Sequence, residues 1–120
     1  MTSDGSPYAR FQHALRIGRL SMVRAAAAEL PRIDLDDALA ICLLIEDQDA
    51  ERYERAAVRW HVRFVYESKN VGMRESQAVL ALLAAIPVNS LAATALAELL
   101  SRRRGLERPC ETLVAWARGA

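Results

Sequence analysis

The chain has 120 residues, of which 52 % are hydrophobic and 26 % are charged, and its formal net charge is +1. This balance is typical of a single globular domain with enough apolar mass to form a core. The small net charge excludes a strong overall field that would attract DNA or a membrane surface. The longest apolar runs, 38–45 and 78–88, are too short to cross a bilayer.

The N-terminal segment and the cysteines indicate the compartment. The first ten residues, MTSDGSPYAR, lack the basic and then apolar pattern of a signal peptide. Two cysteines in separate segments predict neither a disulfide framework nor a zinc site. We therefore expect a cytoplasmic protein with reduced thiols and with no membrane partner.

The predicted elements are all helices. Long segments are rich in alanine and leucine, and none alternates polar with apolar residues as a strand would. The sequence predicts an all-α fold, a compact bundle of about seven short helices arranged as antiparallel helical hairpins, because the links between helices are short. We expect one domain over 1–120, with a flexible lead over 1–6 and a C-terminal helix within 105–120 that docks on the bundle.

Helix signals define the first three elements. Ser6 is the predicted cap of a first helix that Gly18 ends, and a second helix is predicted over about 21–30. Asp34 is the predicted cap of the third helix, because further acidic residues follow in its first turn. This helix is apolar on all sides over 38–45, which predicts a central, buried position.

The fourth helix lies in the stretch ERYERAAVRWHVRFVYESK, residues 51–69, and carries three distinct faces. Its predicted core face comprises Tyr53, Ala57, Trp60 and Phe64. A polar face comprises Arg52, Arg55, Arg59, Arg63 and Tyr66. A second apolar strip comprises Val58, Val62 and Val65. Two apolar strips predict two neighbours, of which the second is either another helix of this chain or a second copy of the protein.

The charges of the chain are segregated along the sequence. Residues 33–54 contain eight acidic residues and one arginine, which gives this segment a net charge of −7. Two arrangements are open. The acidic residues neutralise the arginines of the fourth helix within one molecule, as solvent-screened pairs. Alternatively, the two patches lie apart and meet across an interface with a partner.

The last three helices are predicted from proline and asparagine signals. The fifth ends at Pro87, the sixth runs from Ser90 to about Arg104 with Asn89 as its cap, and Pro109 opens the last. The sixth helix ends in a basic cluster, Arg102, Arg103 and Arg104. The dipole of a helix favours cations at this end, which is a structural reason for the cluster, and phosphate binding is the alternative.

Arginine abundance by itself says little about nucleic acids here. Fifteen of the 16 basic residues are arginine and 22 residues are alanine, a bias that GC-rich coding DNA produces. Two segments with some features of a helix-turn-helix motif, 12–28 and 84–100, lack polar side chains where bases would be read. A nucleic-acid function therefore depends on the positions of the arginines.

No catalytic, metal, cofactor or small-molecule site is predicted. His13 and His61 have no histidine or cysteine four positions away, as a helical metal pair requires. Cys42, within the apolar run, is expected to be inert, because apolar surroundings raise the pKa of a thiol. Cys110 lies near Arg108, whose charge would lower the pKa of the thiol, and it is therefore the best candidate for a reactive group.

The stretch ALRIGRLSMVRAAAAELPRIDLDDALAICLLIEDQDAERYERAAVRW, residues 14–60, resembles small all-helical proteins of GC-rich bacteria. The resemblance implies no activity and no site residue. From the residues, we expect a non-enzymatic helical module that acts through protein contacts, with a protein partner or with a second copy in a homodimer. The alternative is a small nucleic-acid-associated regulator that uses two sets of arginines: Arg55, Arg59 and Arg63 of the fourth helix, and Arg102, Arg103 and Arg104 after the sixth.

Overall fold

The computed structural model describes residues 5–103 and 105–119. This part of the chain contains seven α-helices and no strand, which confirms the predicted all-α class. The helices are α1 (Pro7–Ile17), α2 (Leu20–Ala27), α3 (Leu35–Gln48), α4 (Tyr53–Glu67), α5 (Met73–Ala85), α6 (Leu91–Leu100) and α7 (Glu107–Gly119). A 3-10 turn, Ala50–Arg52, precedes α4. Among the described helices, none has both the length and the apolar character needed to cross a membrane.

Local sequence signals set several helix ends. The hydroxyl of Ser6 accepts a hydrogen bond from the backbone of the first turn of α1 at 3.0 Å. Gly18 ends α1 with a left-handed φ of 79°, a conformation that glycine adopts without strain. The side chain of Asn89 accepts from the backbone N–H of Leu91 at 3.0 Å, so it caps the start of α6. Asp34 precedes α3 as predicted, but its side chain makes no capping bond.

Other helix ends differ from the prediction. α2 ends at Ala27 instead of position 30, because the chain tightens into a turn in which Leu30 N–H donates to Ala27 at 3.0 Å. α6 ends at Leu100, since the backbone turns over the next residues, and Arg104 lies outside the described residues. α7 begins two residues before Pro109, which its first turn tolerates because the N–H groups there have no partner within the helix.

Hydrogen bonds between helices show that α4 and α5 run antiparallel. The hydroxyl of Tyr53, at the start of α4, donates to the carbonyl of Leu83 near the end of α5 at 2.7 Å. His61, in the middle of α4, lies 2.8 Å from the carbonyl of Ser76, near the start of α5. The two contacts fix the relative level of every residue along this helix pair.

α3 and α4 also run antiparallel. The indole N–H of Trp60 donates to the carbonyl of Leu35, at the start of α3, at 2.8 Å. Further along α3, the thiol of Cys42 contacts the carbonyl of Ala56 at 3.5 Å. Residues 38–45 are all buried or half-buried, as their uniformly apolar character predicts. α3 and α4 therefore form the centre of the bundle.

The described residues form two hydrophobic clusters. The larger lies mainly among α3 to α7, with Leu20 of α2 at its edge, and includes Leu39, Leu43, Trp60, Phe64, Leu83, Leu96 and Leu113. Within it, the rings of Trp60 and Phe64 stack with 5.6 Å between centroids. Tyr53, Ala57, Trp60 and Phe64 are all buried, which confirms the predicted core face of α4. The smaller cluster joins α1 to α2 through Phe11, Ala14, Val23 and Ala26.

Candidate interaction surface

α4 carries an exposed face on the side away from the core. Val58, Val62 and Val65 are 46, 48 and 37 % exposed, and Tyr66 is 86 % exposed. None of the described helices buries the second apolar strip of α4, which therefore lies at the surface. We call Val58, Val62, Val65 and Tyr66, together with Arg55 and Arg59, the outer face of α4.

The apolar surface continues onto α5. Met73 and Leu80 are exposed large side chains of this helix. α4 and α5 run antiparallel, and two hydrogen bonds set which of their residues lie side by side. Leu80 therefore lies beside the first half of α4 and Met73 beside its end. His61 is half-buried at the junction of the two helices, where its Nε2 also lies 3.1 Å from the hydroxyl of Ser76. This histidine therefore serves as a contact between helices.

The four arginines of the predicted polar face of α4 fall into two groups. Arg52 pairs with Asp49 at 3.3 Å. Arg63 pairs with Glu67 at 2.7 Å and donates to the backbone carbonyl that precedes α3. Arg55 and Arg59 are exposed, and among residues 5–103 and 105–119 neither forms an ion pair. The cations of the outer face are therefore open to a partner.

The acidic block does not neutralise the outer face. Asp36 pairs with Arg108 of α7 at 2.8 Å, and Asp37 lies 3.7 Å from the same guanidinium. The hydroxyl of Tyr8 donates to Asp37 at 3.1 Å, and Gln12 donates to it at 3.2 Å. Of the two arrangements open from the sequence, pairing within the molecule occurs between Asp49 and Arg52, whereas Asp36 and Asp37 bond to residues of α1 and α7 instead of the arginines of α4.

Asp37 is the one buried charged residue of the described chain. Burial raises the pKa of its carboxyl group, and the charge of Asp36 adds to this, whereas hydrogen bonds from Tyr8 and the charge of Arg108 act in the opposite direction. Carboxylate oxygens of Asp34, Asp36 and Asp37 lie within 4.8 Å of one another, a spacing that a cation could bridge. Arg108 supplies one positive charge to Asp36 and Asp37, which offsets part of the charge of this cluster.

Arg103, the central residue of the basic cluster after α6, is bound within the fold. Arg103 donates to both carboxylate oxygens of Glu75, with 2.6 Å from its Nε, and to two backbone carbonyls, those of Lys69 and Asn70. Its guanidinium also lies over the ring of Phe64. Of the other members, Arg102 is exposed and Arg104 lies outside the described residues. Arg103 is therefore occupied in joining α6 to α5 and to the end of α4.

An open cleft of 990 Å³ lies beside this arginine, at the end of the bundle where α3, α5 and α7 begin. Its charged lining includes Glu75 and Arg103, which pair with each other, and Asp36 and Arg108, which also pair. The internal pairing leaves these groups with no free carboxylate or cation for a substrate.

The thiols lack the setting of a nucleophile. Burial raises the pKa of Cys42 to about 12. The thiol of Cys110 donates to the carbonyl of Ala97 at 3.1 Å, and partial burial, together with two neighbouring glutamates of α7, raises its pKa as well. The expected lowering by Arg108 is wrong, because that guanidinium pairs with Asp36 instead.

Several polar contacts have no signal in the sequence. Gln48, at the end of α3, accepts from the N–H of Leu20 at 2.9 Å and donates to the carbonyl of Gly18. Arg108 donates to the hydroxyl of Tyr8 across 100 positions. Neither pattern has a characteristic spacing, since the partners meet only after the helices pack.

Comparison with family models, with curated proteins and with solved structures finds no match to this chain. Its function is therefore inferred from its own geometry. Among the described surfaces, the outer face of α4 combines exposed apolar side chains with exposed cations that have no ion pair, and it is the candidate functional site.

Proposed function

We propose that this protein is a non-enzymatic helical module that acts through protein contacts made by the outer face of α4. The observation that supports it is the exposed row of Val58, Val62 and Val65 on one side of a helix whose other side forms the core. Single exposed apolar residues are ordinary on protein surfaces. A row at helical spacing, next to an exposed tyrosine, is the kind of surface that binds another helix.

The outer face is presented on a rigid support. Trp60, on the buried side of α4, is held by its bond to Leu35 and by stacking on Phe64. Tyr53 fixes the start of the helix on α5. Because the backbone of α4 is already ordered, a partner loses little conformational freedom of this chain on binding. Preorganisation of this kind favours a contact surface.

The chemistry of the described side chains supports a non-enzymatic role. The pKa of each thiol is raised, so neither is activated as a nucleophile at neutral pH. His61 is held between α4 and α5, and within the cleft Glu75 pairs with Arg103 and Asp36 with Arg108. Catalysis requires a nucleophile or a base within reach of a substrate, and these groups are all committed to the fold.

The experiment is site-specific photo-crosslinking in the cells that make the protein. A benzophenone amino acid replaces Val62, and in a matched control it replaces Ala95, an exposed residue of α6. We expect discrete adducts at Val62, identified by mass, that are absent at Ala95 and lost when Val58→Glu is added. Circular dichroism confirms that the Val58→Glu chain is folded. Absence of any adduct at Val62 would overturn the proposal.

Generic nucleic-acid binding is a second candidate, because Arg55 and Arg59 are exposed and have no ion pair among the described residues. Binding through such cations weakens as salt rises. Titration of a duplex of arbitrary sequence at low salt tests it, with Arg59→Glu as the variant. If the affinity neither depends on salt nor falls in Arg59→Glu, this candidate is rejected.

A further inference from the structure

We infer that the partner of the outer face is α4 of a second copy, packed parallel and in register as a short two-stranded coiled coil. This inference rests on the proposed function and names the occupant of the surface. It is carried by two observations: the spacing of the exposed apolar residues and the positions of the exposed charges beside them.

The spacing of the valines is that of a coiled-coil seam. Val58, Val62 and Val65 are separated by four and then three positions, which places them at d, a and d of a heptad. All three are exposed in the single chain, so the seam is available. Arg55 occupies the preceding a position, where in a parallel pair it meets Arg55 of the second copy, so the seam is limited to the valine layers.

The same heptad places opposite charges on the two edges of the seam. Glu54 falls at g and Arg59 at e, and both are exposed. Neither has an ion pair among residues 5–103 and 105–119. In a parallel pair, the g residue of one helix faces the e residue of the following heptad on its partner. Glu54 of each copy therefore faces Arg59 of the other, and the twofold axis makes this contact twice.

The charges also select the orientation. In an antiparallel twofold pair, e faces e and g faces g, so Glu54 of one copy does not face Arg59 of the other. Only the parallel arrangement brings Glu54 of each copy opposite Arg59 of the other.

Residues beyond the charged pair fit the parallel arrangement. Tyr66 falls at e. His61 falls at g, on the side of α4 where α5 lies. In the parallel pair, Tyr66 of one copy approaches the α5 side of the other at the level of Met73, which is exposed. The most exposed aromatic residue of α4 then contacts apolar surface. Leu80, exposed on the same helix at the level of Val58, extends this contact.

The first experiment measures mass by light scattering as the protein concentration rises towards roughly millimolar, the range of weak complexes. We expect the mass to approach that of a dimer. Glu54→Arg and Arg59→Glu, each alone, turn two attractive contacts into repulsive ones, and each should weaken association by about tenfold. The double variant restores opposite charges and should recover most of the affinity. In an antiparallel dimer it would not, because Glu54 of one copy does not face Arg59 of the other.

The second experiment tests the register with cysteines, in a chain that carries Cys110→Ala so that Cys42, which is buried, is the only other thiol. Val58→Cys and Val65→Cys are made separately and oxidised under mild conditions. A parallel pair in register joins like positions along the whole seam, so both variants should form covalent dimers. An antiparallel pair joins like positions only at its centre, so at most one would do so.

The outcomes separate this inference from the proposed function. A monomer at every concentration, or a double charge variant no better than the single ones, overturns the parallel dimer. If the crosslinker at Val62 then captures a different chain through the outer face, the interaction module stands and only its partner is wrong. If there is neither a dimer nor an adduct, both proposals fail.

Discussion

The guanidinium of Arg103 lies 5.7 Å above the ring of Phe64 while it donates to both carboxylate oxygens of Glu75. The side chain of Arg103 is only 16 % exposed. One arginine thus joins the end of α6 to the start of α5 and to the core face of α4. Arg103, which the sequence shows only as part of a basic cluster, therefore connects three helices of the fold.

Replacing Arg103 tests how much its contacts with Glu75 and Phe64 stabilise the fold. We expect Arg103→Ala to lower the free energy of unfolding by about 3 kcal/mol, because it leaves a partly buried carboxylate without its partner. Arg103→Lys should recover only part of the loss, since an ammonium cannot bond both oxygens in the same planar geometry. Urea denaturation measures the change. Arg102→Ala, on an exposed neighbour, is the control and should cost less than about 0.5 kcal/mol; equal losses would contradict the role of Arg103.

The Tyr53 hydrogen bond can be measured in the same way. Tyr53→Phe removes the hydroxyl that donates to Leu83 and leaves the carbonyl of a buried backbone group without its partner. We expect a loss of about 1 kcal/mol in the free energy of unfolding. Tyr66→Phe, which removes an exposed hydroxyl from the same helix, should have no measurable effect on stability.

Acid stability follows from the pKa of Glu75. The hydrogen bond from Arg103 holds this pKa below its ordinary value of 4.5, so the folded chain binds the proton less readily than the unfolded chain. The contribution of the pair is therefore present above pH 4.5 and is lost as the pH falls through the lowered pKa. Glu75→Gln should be less stable than the natural chain at neutral pH, and this difference should shrink in acid. A constant difference between pH 7 and pH 3 would contradict it.

The pKa of Asp37 is shifted in the opposite direction from that of Glu75. This pKa lies above its ordinary value of 3.8. At a pH between 3.8 and the raised pKa, the folded chain therefore binds more protons than the unfolded chain. This group therefore stabilises the fold at acid pH and loses that contribution as the pH rises through the raised pKa. In Asp37→Asn, the free energy of unfolding should lack this decline. The check is a comparison of urea midpoints for both chains from about pH 3 to pH 6, the range in which carboxyl groups titrate.

Thiol reactivity separates the two cysteines. Cys42 is buried with a pKa of about 12, whereas Cys110 is only half-buried. We expect alkylation of the native protein at mildly alkaline pH to modify Cys110 first, and more slowly than a free thiol, since its pKa is raised. Cys42 should react only after unfolding. Mass spectrometry of tryptic peptides reads out the order, and rapid labelling of Cys42 in the folded chain would be inconsistent with its burial.

The parts of the fold that depend on neighbouring residues could be predicted from the sequence. Ser6 and Gly18 define α1 because capping and a left-handed turn are decided within a few positions. The core face of α4 follows from helical periodicity alone, and Trp60 is buried as that periodicity requires. The exposure of Val62 could be predicted only as one of two alternatives, because it depends on where the other helices stop.

The polar contacts that join the helices could not be predicted. Arg103 and Glu75 lie 28 positions apart, and the choice of Glu75 over any other acid is made by the packing of α5 on α6. Arg108 takes Asp36 instead of activating Cys110, because the starts of α3 and α7 meet at one end of the bundle. Charge counts along the chain show that acidic and basic segments are separate, but they cannot say which charges meet.

The small cluster formed by α1 and α2 has a dynamic consequence. Phe11 and Val23 pack mainly within this pair, and Gln48 holds its turn by two hydrogen bonds to the backbone. A pair of helices with its own apolar contacts can open as one cooperative unit while the remaining helices stay folded. We therefore expect the amides of α1 and α2 to exchange with deuterium together, and faster than those of α3 and α4. In the open state, the surface of α3 that α1 and α2 cover would be exposed to solvent.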